Sequence, residues 1–163
     1  MRLTRQTRLF FDASVLVAGS HSLPGGSSLI LEACRLGGFQ ACTSAGILRE
    51  AEENIKESFP HSTFLRFLAI LTEIAWDIGP LLPVTQIERY FNVVHPKDAH
   101  VIASAVAARA EFLLTLDKKH LLTDHLRDSD LPVIIVSPAE FIRGYYHLHE
   151  EYPSALPPRR VQP

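Results

Sequence analysis

The sequence predicts an α/β domain, a parallel sheet covered by helices, and three observations carry that expectation. Four short apolar runs read as buried strands: "RLFF" (8–11), "FQACT" (39–43), "EFLLTL" (111–116) and "PVIIV" (132–136). Helical apolar spacing fills the intervals, and strands alternating with helices build βαβ units. With 163 residues, 47% hydrophobic and 21% charged, the chain can bury one substantial core as a single domain.

The elements follow in order. "RLFF" runs into Asp12 with apolar residues on both sides, so this strand is expected at the centre of the sheet. "SSLILEACRLGG" has helical spacing and stops at Gly37-Gly38, a natural helix end. After "FQACT" come two helical segments, "SAGILREAEENIKESF" and "HSTFLRFLAILTEIAW", divided by Pro60. The alanine-rich "PKDAHVIASAVAARA" begins a helix through Pro96, and "EFLLTL" then ends on Asp117. "SPAEFIRGYY" opens with Ser-Pro, a helix start. Four of the eleven prolines fall within residues 153–163, so the expectation is a domain over 1–147 and a flexible or peripheral tail over 148–163.

Composition removes several function classes. A net charge of −2 gives no general basic footprint, which counts against a plain nucleic-acid-binding module more than against a metal-dependent enzyme. Cys34 and Cys42 fit neither a disulfide scaffold nor a zinc spacing, and a cytoplasmic location is expected. No apolar run approaches the ~18 residues of a membrane span. Arg2, Arg5 and Arg8 precede an apolar stretch as in a signal peptide, but Asp12 interrupts it and no small-residue cleavage site follows. Gly25-Gly26 and Gly37-Gly38 lack the flanking residues of a phosphate-binding loop. A dehalogenase-type phosphatase needs a second aspartate where Ser14 stands. His95, His100 and His120 form no compact ligand pair with cysteine, so a structural zinc site is not expected. Trp76 and the Phe64–Phe67 pair are assigned to a core or a dimer seam.

Four acids remain to be explained. Asp12 and Asp117 close two of the strands, and ligands of open parallel sheets bind at the carboxyl ends of strands. Each has a hydroxyl two residues away, Ser14 and Thr115. A turn or helix cap would explain Asp117 equally well. Asp98 heads a helical stripe made by Val101, Ile102 and Ala105, which sets its carboxylate on the core-facing side, although a first-turn aspartate favoured by the helix dipole is the alternative. Ile47, Leu48, Ala51 and Ile55 make the stripe of the helix after "CTS"; Glu50 flanks one edge and Glu52 the other, and periodicity does not choose between them. Carboxylates converging in one cleft repel by roughly 3 kcal/mol per ionised pair at ~5 Å and an effective dielectric of ~20. They take up protons or bind a hard divalent cation, for which Mg2+ and Mn2+ are suited.

The ordered motifs "FFDASVLVAG", "TSAGILREAEENI", "HPKDAHVIASAVAARAEFLLTLDKKHL" and "VIIVSPAEFI" resemble PIN-domain ribonucleases. Among these they look most like the VapC-like toxins of type II toxin–antitoxin pairs. Each motif alone is weak; the four in order are specific. The resemblance implies a Rossmann-like three-layer α/β/α sandwich with a mainly parallel central sheet. It further implies an endoribonuclease using Mg2+ or Mn2+, with Asp12, Glu50, Asp98 and Asp117 as the acidic metal cluster and Ser14 and Thr115 as supporting hydroxyls. A homodimer and a cognate antitoxin protein are also implied. Many relatives carry a further acid just after the fourth, where this chain has Lys118, Lys119 and His120. The alternatives are a stand-alone PIN-domain protein of RNA processing and a non-catalytic RNA-binding scaffold.

Overall fold

The computed structural model describes residues 1–154, 156 and 157. Among these residues, five strands form one sheet: β1 (Arg8–Phe11), β2 (Gln40–Ser44), β3 (Asp77–Gly79), β4 (Phe112–Leu114) and β5 (Ile134–Val136). Their order is β3-β2-β1-β4-β5, and every pairing is parallel. The expected central position of "RLFF" is therefore met. Helices α1 (Ala13–His21), α2 (Gly26–Arg35), α3 (Ala45–Ser58) and α4 (His61–Glu73) connect the first three strands. The short α5 (Val84–Glu88), a 3-10 turn over Pro96–Asp98 and α6 (Ala99–Ala107) lead to β4; α7 (Asp124–Arg127) and α8 (Pro138–Gly144) flank β5. α1 packs on α2, α3 and α4, and α2 on α8, while α6 packs on β2 and α5. The result is the expected three-layer α/β/α arrangement.

This order decides where a ligand can sit. The chain moves outward from β1 through β2 to β3, then returns to place β4 on the other side of β1. The crevice beyond the carboxyl ends of β1 and β4 is thus the topological switch point, where open α/β sheets bind ligands. Asp12 follows the last residue of β1, and Thr115 and Asp117 follow β4.

Several local expectations have clear physical outcomes. α2 ends in a Schellman arrangement: Gly37 has φ +79°, its N–H donates to Cys34 O at 2.9 Å, and Gly38 N–H donates to Ala33 O at 2.8 Å. Phe10, Phe11, Phe67, Phe112 and Phe141 are fully buried. Trp76 packs edge-on against Phe11 at 5.4 Å, which puts it at the core margin. Cys34 and Cys42 are free and buried, and burial pushes the Cys42 thiol up to about 11.

Two features differ from the sequence expectation. β3 is an unanticipated edge strand of three residues, whose Asp77 and Ile78 are exposed, so no apolar run announces it. The segment after residue 147 is packed rather than peripheral as far as it is described. Leu3 N–H donates to Leu148 O at 3.1 Å, and Glu150 N–H to Leu3 O at 2.9 Å. His149 is buried with Nε2 2.7 Å from Gly38 O, and Leu156 is buried as well. Composition reads prolines as flexibility, whereas contacts with residues far away in sequence hold this stretch down. Residue 155 and residues 158–163, where the rest of the proposed tail falls, lie outside the described residues.

Candidate active site

The site begins with the end of β1. Asp12 is extended (φ −73°, ψ 158°) and caps α1, with only 7% of its surface exposed. Its Oδ1 accepts from Ala13 N–H at 2.8 Å, and its Oδ2 accepts from the Thr115 hydroxyl at 2.7 Å and the Ser14 hydroxyl at 3.2 Å. Burial pushes its pKa above the usual carboxylate range, those three hydrogen bonds oppose the rise, and the Asp117 charge adds to it. A buried carboxylate needs donors, and this one has three.

The two hydroxyls also tie elements together. Ser14 Oγ accepts from Leu116 N–H at 3.0 Å, and Thr115 Oγ1 accepts from Asp117 N–H at 3.1 Å. Start of α1 and end of β4 are thereby clamped around one carboxylate.

Asp117 has a divided role. Its Oδ1 accepts from Lys119 N–H and His120 N–H, both at 3.0 Å, the turn function that the sequence allowed. Its Oδ2 lies 3.6 Å from His120 Nδ1. Asp98 behaves differently, since its side chain caps nothing although it stands at the head of α6. Val101, Ile102 and Ala105 are buried along the predicted stripe. Asp98 Oδ2 is itself buried without a hydrogen-bond partner, 3.2 Å from His120 Nδ1.

Glu50 is exposed by area, but loss of solvation at its carboxyl raises its pKa, and the Asp12 and Asp98 charges raise it further. His100 and Lys97 act in the opposite direction. Glu50 on α3 is thus within electrostatic reach of Asp12 and Asp98. Glu52, the other edge residue of that helix, is engaged with Lys56 Nζ at 2.8 Å.

Hydrogen bonds thus join Asp12, Ser14, Thr115 and Asp117, and His120 stands between Asp98 and Asp117. The sequence assigns His120 no role among the metal ligands, yet ligand atoms of Asp98, Asp117 and His120 all lie within 4.8 Å of one another. The signal was the spacing of "DKKH": an aspartate-centred turn returns its fourth residue to the aspartate's own side. The His95 ring stacks on His120 at 5.4 Å and 29°, which helps to fix the imidazole plane.

This donor set fits a divalent cation. An anionic oxygen that is buried, close to other carboxylates and without a hydrogen bond is costly unless a cation satisfies it. Asp98 Oδ2 is such an atom.

The PIN domain family matches residues 8–119, from the first residue of β1 to two residues past Asp117. The chain belongs to the PIN domain family. Among solved structures, this PIN domain is similar to a chain of VapBC2 from Rickettsia felis, crystallised bound to a DNA fragment from their promoter. That likeness has a TM-score of 0.57 at 13% identity and covers 80% of this chain and 98% of the other, so it concerns the fold. No curated protein matches the sequence. His120 lies one residue beyond the family match, outside what the family pattern describes.

Proposed function

We propose that this PIN domain is a divalent-metal-dependent endoribonuclease that hydrolyses RNA phosphodiester bonds, the toxin of a toxin–antitoxin pair. The observation that carries the reading is the unsatisfied, buried Asp98 Oδ2 beside Asp117 at the switch-point crevice. Family membership and the fold likeness to a VapBC2 chain support it.

Asp98 and Asp117 would hold the ion, with Asp12 and Glu50 completing the acidic wall. Mg2+ or Mn2+ bound there would supply an activated water and offset the charge that builds on the phosphodiester. Ser14 and Thr115 orient Asp12 through their hydroxyl donors. Glu50, whose pKa is raised by loss of solvation and by the Asp12 and Asp98 charges, is the acid best suited to proton handling. The exposed Lys97, Lys118 and Lys119 stand around the crevice on the segments that carry Asp98 and Asp117, suited to RNA phosphates. A cognate antitoxin, a homodimer and a cytoplasmic setting belong to the same reading; no described helix is long and apolar enough to cross a membrane.

Incubating purified protein with RNA is the test. Cleavage should require Mn2+ or Mg2+, stop with chelator and return when metal is restored. Asp12→Asn and Asp98→Asn should each lower turnover by about a hundredfold or more while the fold persists, since even outer-shell changes cost ~10–100-fold. Cleavage that survives chelation and both substitutions would defeat the mechanism. RNA binding without turnover in any metal would leave the scaffold reading in its place.

A further inference from the structure

We propose that His120 is a direct nitrogen ligand of the metal, through Nδ1, so that this site is a mixed nitrogen–oxygen centre that favours Mn2+ over Mg2+. The inference rests on the metal-site reading above and adds a donor to it.

Three observations converge. His120 Nδ1 is the ring atom that faces both acids, 3.2 Å from Asp98 Oδ2 and 3.6 Å from Asp117 Oδ2. The nearer contact is short in distance yet is not an aligned hydrogen bond, because Asp98 Oδ2 has no hydrogen-bond partner. The imidazole and the carboxylate therefore crowd one space without satisfying each other there. A cation between them satisfies all three groups. The ring is also held in place. Its backbone N–H is fixed by Asp117 Oδ1, and its face lies against His95. Preorganised donors lose little freedom on binding.

Donor chemistry then sets the preference. Mg2+ demands oxygen ligands and gives up water reluctantly, whereas later divalent ions accept imidazole. The two lysines before His120 donate no lone pair at neutral pH. His120 is thus the one residue of "KKH" able to occupy the coordination position that a carboxylate would otherwise fill.

The test loads the full chain with Mn2+ and reads electron spin echo envelope modulation. Nitrogen modulation of the imidazole type is expected in the unsubstituted protein. It should persist in His95→Ala and His100→Ala, and vanish in His120→Ala. Titration calorimetry should show His120→Ala weakening Mn2+ binding by about tenfold or more and Mg2+ binding by less. His120→Asp should still bind Mn2+, without the nitrogen signal and with the Mn2+ preference reduced. Mn2+ bound with no nitrogen modulation in the unsubstituted protein, or modulation unchanged in His120→Asp, would overturn the assignment of His120 while leaving the acidic site intact. Absence of Mn2+ binding altogether would overturn both readings.

Discussion

At the scale of single residues, this site is a problem of donors. Asp12 would be costly in its buried setting without the Thr115 hydroxyl, which gives one hydrogen bond to Asp12 Oδ2 and receives another from Asp117 N–H. Thr115→Val keeps the shape and removes both bonds. It should destabilise the fold by about 1–3 kcal/mol, because it strands the partly buried Asp117 amide and weakens support of a buried carboxylate. Thr115→Ser should recover most of that loss. Urea unfolding of the three proteins checks the prediction, and equal midpoints would show that Thr115 only fills space. Strand-end position and hydroxyl spacing made Asp12, Ser14, Thr115 and Asp117 legible in the sequence. For His120 only the turn back to Asp117 is legible, in the "DKKH" spacing; its approach to Asp98 depends on α6 lying beside that turn, which no local pattern reports.

At the scale of elements, caps and punctuation were the readable part. The Gly37-Gly38 stop of α2 and the Ser-Pro start of α8 are sequence signals with backbone causes. β3 gave no signal, because its place is set by backbone pairing with β2 and not by burial of its side chains. α8 offers a test of its own. Ser137 Oγ accepts from Glu140 N–H at 3.1 Å, and Glu140 Oε2 accepts from Ser137 N–H at 3.0 Å, a reciprocal capping box. Ser137→Ala should cost about 1 kcal/mol. Partial burial raises the Glu140 pKa, but the Ser137 amide and the Arg127 guanidinium outweigh it and hold the pKa below the usual glutamate value. A depressed folded-state pKa gives stability that is present above the unfolded value of about 4.3 and is lost as pH falls through the folded value. The difference in melting temperature between the unsubstituted protein and Glu140→Gln should therefore be largest near neutral pH and shrink below pH ~4. A difference that grows on acidification would reverse the assigned sign.

At the scale of the whole molecule, strand order does the functional work and long-range docking does the structural work. Apolar runs revealed a parallel sheet with "RLFF" at its centre, and that central place opens the crevice between β1 and β4. What composition misjudged is the closure of the chain on itself. Leu3 bridges His149, His149 reaches Gly38 and packs edge-on against Phe39 at 4.9 Å, and Arg5 pairs with Glu151 at 2.7 Å. The Tyr146 hydroxyl donates to Pro157 O at 2.8 Å, and Leu156 covers Gly38, where a side chain would collide with it. A chain ended at residue 147 would expose Leu3, Phe39 and Gly38, and would lose the burial of Leu156 and His149. The exposed ion pair contributes little to that balance, so the loss is mainly apolar burial and buried hydrogen bonds. Fully burying one large apolar side chain is worth about 1.5–3 kcal/mol, so the truncation should cost on the order of 3 kcal/mol or more. A chain ended at residue 157 should retain that stability, because every contact named here lies before its end. Chemical denaturation of the two truncations against the full chain decides the matter. Equal midpoints for all three would mean that the domain closes by residue 147, as composition alone suggested.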